Sequence, residues 1–183
     1  MRQRPLFQVQ WSVTLVLILI NVVVFVIQNV ADHTSHSYIY DRFALSVDGL
    51  KQGHFWQLVT FQFLHLPLLD GGVFHLLGNL FVIYIFGSPV EGAIGKMNFT
   101  KLYLLSGILG GMLQMAGGFF WPEHFGQAVV GASAGAFGLI AAFATLFPHR
   151  VLYLFFLPIE PRVKTLLWLG ILISVIGMVL PPK

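Results

Sequence analysis

The chain has 183 residues, of which 57% are hydrophobic and only 9% charged, with a formal net charge of +3. An average soluble domain is about 25% charged, so a water-exposed globular surface is excluded and the chain belongs in lipid. Cysteine is absent, which rules out a disulfide framework, a thiolate nucleophile and a Cys-ligated metal. The few lysines and arginines form no basic run, so nothing here would neutralise a nucleic-acid backbone.

A spanning helix needs about 20 mostly apolar residues, because the hydrocarbon core is about 30 Å thick. The sequence predicts five such spans, at about 11–28, 73–90, 99–120, 128–147 and 163–180. The flank of the first, Gln28-Asn29-Val30-Ala31-Asp32, is a poor cleavage site for a signal peptide. A long segment, about Asp32 to Gly72, separates the first two spans. It opens polar and then mixes aromatic and polar residues over His54–His65. That mixture suits the membrane interface, so a short interfacial helix or a partly embedded loop is expected there. If the spans alternate, Arg2, Arg4, Lys96, Lys101, Arg150, Arg162 and Lys164 share one side, with only Arg42, Lys51 and Lys183 opposite. The richer side is expected in the cytoplasm, which places the N-terminus inside and the long first loop outside.

Two polar constellations stand out. The fourth span opens with Val130-Gly131-Ala132-Ser133-Ala134-Gly135. Gly131 and Gly135 are four apart, a spacing that lets membrane helices pack closely. Equally, Ser133 near a helix N-terminus is placed where free N–H groups and the helix dipole favour developing negative charge. The second span opens with His75-Leu76-Leu77-Gly78-Asn79. His75 and Asn79 are i and i+4 and share a helical face. They read either as an interfacial histidine with an interhelical asparagine, or as two donors able to hold an oxyanion.

Together these stretches resemble the rhomboid intramembrane proteases, which carry Gly-x-Ser at the start of their fourth core helix and His-x-x-x-Asn in the second. Trp56–His65 is similar to the family's first-loop segment. Phe86–Gly95, with Glu91-Gly92-Ala93-Ile94-Gly95, is similar to the end of its second helix, and Tyr103–Gly107 to its third. The resemblance implies an all-α, polytopic helix bundle formed by residues 1–183 as a single domain. It implies Ser133 as nucleophile, His75 and Asn79 with the Ser133 N–H as oxyanion hole, and Glu91 as a structural residue at a helix end. The family often has glycine directly after the serine, where this chain has Ala134.

A serine needs a positioned base, and the family's catalytic histidine lies in a sixth helix. None of the seven histidines matches it. His33, His36, His54 and His65 fall in the first loop and His124 in the third; His149 follows the fourth span on the far side, and His75 occupies the oxyanion position. The expectation is a chain incomplete at its C-terminus, with the base beyond residue 183 and little activity of its own. The substrates implied are transmembrane proteins cut near the outer face, in a bacterial inner membrane, with no metal and no cofactor. A rhomboid-like pseudoprotease that binds membrane helices without cutting is the alternative; an unrelated transporter lacks the intramembrane charges it would need.

Overall fold

The computed structural model describes residues 12–34, 38–150, 165, 168 and 170–172. The first span is α1, Val13–Thr34; the second is α5, Gly72–Ile94; the third is α6, Lys96–Phe120. Each holds a stretch long and apolar enough to cross a bilayer. In hydrocarbon every backbone polar group must be paired within its own segment, which makes helices of such runs. After a short helix, α7 (Pro122–Phe125), the fourth span, α8, is shorter, Ser133–Leu146, or about 21 Å at 1.5 Å per residue. The expected fifth span lies outside the described residues apart from five positions, 165, 168 and 170–172, which are helical. Arg2, Arg4, Arg162, Lys164 and Lys183 also lie outside them. No strand occurs among the described residues, only an isolated antiparallel bridge between Leu45 and Val129.

The bundle is held by close approach. Buried Leu17, Ile83, Phe86, Phe99, Tyr103, Leu139 and Phe143 form one apolar core shared by α1, α5, α6 and α8. Small residues set the spacing between helices. A methyl group added at Gly135 would meet the Tyr103 ring at 2.8 Å, and one at Gly138 would meet the Ser106 hydroxyl at 2.2 Å. One added at Gly110 would stand 2.7 Å from the Ala134 methyl. A glycine on α6 thus provides the room that Ala134 occupies beside the serine. Gly131 and Gly135 do not form a helical seam, because α8 begins only at Ser133.

Between α1 and α5 the first loop folds into three short helices, α2 (Tyr38–Phe43), α3 (Val47–Lys51) and α4 (Gln57–Thr60), and two 3-10 turns, Phe61–Phe63 and Leu68–Asp70. The aromatic–polar stretch is therefore helical only in part. Its polar members tie the loop together. Gln57 is wholly buried and accepts from the Ser46 N–H at 3.3 Å. Thr60 donates to the Phe43 carbonyl at 2.8 Å, and the Trp56 indole to the Arg42 carbonyl at 2.9 Å. Phe55, Trp56, Leu66, Leu68 and Leu69 remain exposed, an apolar fringe suited to the membrane interface.

One buried polar group joins distant parts of the chain. Glu91, near the end of α5, accepts from the Val13 N–H at 2.8 Å, the Thr14 N–H at 2.9 Å and the Thr14 hydroxyl at 2.8 Å. A carboxylate from another helix thereby caps the start of α1, satisfying donors with no intrahelical partner. Removing an acceptor that serves three donors leaves them unpaired, and bonds to charged groups contribute about 1.5–3 kcal/mol. Glu91→Ala is expected to destabilise the fold by about 2–3 kcal/mol, and Glu91→Gln by less, read as unfolding free energy in detergent micelles.

His65 is wholly buried, and neither ring nitrogen has a well-formed hydrogen bond. Burial, reinforced by the neighbouring His75, lowers its pKa to about 4, against a smaller opposing effect of the Phe63 carbonyl. The folded protein therefore holds His65 neutral while the unfolded chain takes up a proton below about pH 6.5. Stability is expected to fall as pH drops from about 6.5 to 4. His65→Phe should flatten that part of a melting-temperature profile if this group causes the slope.

Candidate functional site

Ser133 opens α8 as its first helical residue. The five residues before it, expected as helix, are not: Val129 exchanges backbone hydrogen bonds with Leu45 at 2.9 and 3.0 Å, and the Gly131 N–H bonds the Phe61 carbonyl at 2.9 Å. The first loop thus fixes the approach to the serine. Gly131 has φ +128°, a conformation that side-chain-bearing residues rarely adopt. The first N–H groups of α8 have no intrahelical acceptor, and the residue before Ser133, Ala132, has no side chain to cap them. Ser133 itself is exposed.

His75 and Asn79 come to the same place from α5. A methyl group at Gly131 would stand 3.0 Å from His75 Nε2 and 3.9 Å from Ser133 Oγ. The glycine is the spacer between imidazole and hydroxyl. Phe74, His75, Gly78, Asn79, Ser133 and Phe137 line one cleft of about 270 Å³. Asn79 is buried, at 7% exposure, and its Nδ2 donates to the His75 carbonyl at 2.9 Å. An amide nitrogen carries two hydrogens, so one remains for a ligand in the cleft. Of the sequence-identified residues, Gly131, Ser133, His75 and Asn79 are thus brought together. Gly135 packs on Tyr103, on the face of α8 turned towards α6.

His75 is oriented through its other nitrogen. Nδ1 accepts from the Leu66 N–H at 3.4 Å, and the His65 ring lies 5.2 Å away, centroid to centroid. When one ring nitrogen accepts, the proton of a neutral imidazole sits on the other. Nε2 is therefore the donor. The residues that fix the backbone on either side of Leu66, Gln28 at His65 and Asn29 at Leu68, both on α1, were legible in sequence only as a polar interruption at the end of an apolar run. Among the described residues no group of three or more His, Cys, Asp or Glu could hold a metal ion. His54 stacks on Trp56 and His124 sits beside Glu123 at 3.7 Å; neither lines the cleft. His149 lies past the opposite end of α8.

Comparison with known proteins gives a consistent picture. The family model described as Rhomboid domain matches residues 52–183. The chain is 32% identical over 105 residues to Rhomboid protein 1, mitochondrial, of Saccharomyces cerevisiae, covering 55% of this chain and 28% of that protein. It is 28% identical over 173 residues to RHOMBOID-like protein 12, mitochondrial, of Arabidopsis thaliana, covering 87% and 49%. With Rhomboid-like protease 1 of Toxoplasma gondii it shares 37% over 91 residues, covering 50% and 28%. The chain thus spans between about a quarter and a half of the length of these relatives. The matched region contains the cleft residues, Phe61 and Leu66 of the first loop, and the helices α5 and α8 that carry the cleft. This chain is an integral membrane protein and belongs to the rhomboid family.

Proposed function

We propose that residues 1–183 form a single rhomboid domain carrying the nucleophile and oxyanion hole of an intramembrane serine endopeptidase. The observation that carries the proposal is one cleft, open at the N-terminus of α8, shared by a serine hydroxyl and two side-chain donors. Ser133 Oγ attacks the carbonyl carbon of a scissile peptide bond and passes its proton to a base. The carbonyl oxygen gains negative charge and takes hydrogen bonds from His75 Nε2–H, Asn79 Nδ2–H and the Ser133 N–H. Collapse of this intermediate breaks the C–N bond, and the base returns the proton to the leaving amine. A water then hydrolyses the acyl-enzyme along the same path. We assign the base to a histidine outside the described residues, since those near the cleft are His75, committed through Nδ1 to Leu66, and His65, buried behind it.

The substrates are transmembrane segments. A helix in lipid is internally hydrogen-bonded, so the segment must unwind to offer a carbonyl to the cleft. Helix-breaking residues near the cut favour this. With the basic side in the cytoplasm, the cleft opens outward and the N-terminus lies inside, in a bacterial inner membrane. No cofactor enters this chemistry.

A fluorophosphonate probe is expected to label the full gene product on Ser133. Ser133→Ala should abolish labelling in a protein that still folds. Labelling that survived would remove Ser133 as nucleophile. An unlabelled protein that still captures transmembrane helices would instead establish a non-cleaving, rhomboid-like binder. His75→Ala and Asn79→Ala should each lower kcat by roughly 10²–10³ with little change in KM, because oxyanion donors act on the transition state. An unchanged kcat would take that residue out of the site.

A further inference from the structure

Residues 65–68 cross the mouth of α5 as a strap, held from three directions. The Gln28 side chain brackets His65, donating to its carbonyl at 2.6 Å and accepting from its N–H at 3.0 Å. The Tyr40 hydroxyl on α2 donates to the same carbonyl. Asn29 accepts from the Leu68 N–H at 2.8 Å, while its amide is fixed to its own helix through the Phe25 carbonyl at 2.8 Å. From below, Gly72 leaves room for the strap: a methyl group there would stand 2.1 Å from the Leu66 carbonyl oxygen. Gln28 is wholly buried, and burying an uncharged amide is costly unless its bonds are made. Both ends of this amide are used on a single residue of the strap.

The strap's hydrogen bond to the cleft residues is the Leu66 N–H on His75 Nδ1. A histidine's second nitrogen commonly decides which tautomer the first presents. Without a donor at Nδ1, a neutral imidazole can place its proton there and turn a lone pair towards the serine. An acceptor at that position would repel an oxyanion rather than bind it.

We infer that Gln28 and Asn29 on α1, with Tyr40 on α2, are positioning residues for the oxyanion hole: they hold the strap so that Leu66 N–H occupies His75 Nδ1 and the imidazole proton stays on Nε2, facing Ser133. The inference rests on the proposed oxyanion role of His75, but its first consequence is a tautomer that can be read without turnover. The bonds that hold the strap reach the site from α1, a helix that contributes no residue to the cleft.

Nitrogen-15 NMR of histidine-labelled protein in lipid nanodiscs reads the tautomer directly, with His75→Gln used to assign the signal. Wild type is expected to show His75 protonated at Nε2 with a hydrogen-bonded, unprotonated Nδ1. Gln28→Leu should give a mixture of tautomers, and in the full gene product it should slow fluorophosphonate labelling of Ser133 at least about tenfold, the size of one disturbed oxyanion contact or less. Because Gln28→Leu removes a buried amide and can unfold the protein, a second variant replaces residue 66 by the α-hydroxy acid of leucine. That changes one amide to an ester: it deletes the N–H and also weakens the His65 carbonyl as acceptor for Gln28 and Tyr40, and both changes loosen the same strap without removing a side chain. It should produce the same tautomer mixture in a folded protein. His75 protonated at Nδ1 in wild type, or a tautomer unmoved by the ester, would overturn the inference while leaving the assignment of Ser133 intact. Failure of Ser133 to label in wild type would overturn the protease reading, and the NMR signal would still decide the tautomer.

Discussion

Everything at the cleft depends on how closely α6 lets α8 lie against it. Lipid offers no hydrophobic drive for two apolar helices to associate, so contact must come from packing and hydrogen bonds between small residues. Gly110, Gly135 and Gly138 remove the methyl groups that would keep the helices apart. The approach they permit fixes the height and rotation of α8, and with them the position of its first residue. Ala134 in place of a glycine is compatible with that approach because the opposing residue, Gly110, has no side chain. The volume has moved from one helix to its neighbour.

The second requirement is a stop. A helix that ran continuously from residue 128 would carry Ser133 inside its first turns, with N–H groups already bonded. The chain prevents this in three ways. Val129 pairs with Leu45, the Gly131 N–H is taken by Phe61, and Gly131 adopts a left-handed φ. All three involve the first loop or a glycine. The long loop therefore acts on the bundle interior, through backbone bonds to the segment that precedes α8. Glu91 does comparable work at the other end, where its carboxylate begins α1 and ties it to α5.

Much of this was legible in the sequence, and what was not has a physical reason. Apolar length located α1, α5 and α6 closely, since the requirement for about 20 residues depends only on bilayer thickness. His75 and Asn79 could be placed on one face because helical spacing is local. The start of α8 could not, because apolar composition continues through residues 128–132 while their backbone bonds go to residues over 60 positions away. The same holds for Glu91. Its carboxylate could be read as structural at a helix end, but not that the end it serves belongs to α1, some 77 residues earlier. Gln28 and Asn29 looked like the polar edge of a span. Only their partners, His65 and Leu68, give them meaning.

The shortness of α8 has a consequence for the lipid around it. Fourteen residues give about 21 Å of helix where the hydrocarbon is about 30 Å deep. The backbone just before it, residues 128–132, is irregular, and a bilayer tolerates such backbone only where protein or water surrounds it. The depth of the serine is then a property of the membrane as well as of the chain. Long-chain or sterol-rich bilayers are a few Å thicker and would sink the hydroxyl further from water, while thin ones would lift it. Acyl-chain length thereby becomes a dial on how deep the Ser133 hydroxyl and the cleft around it lie.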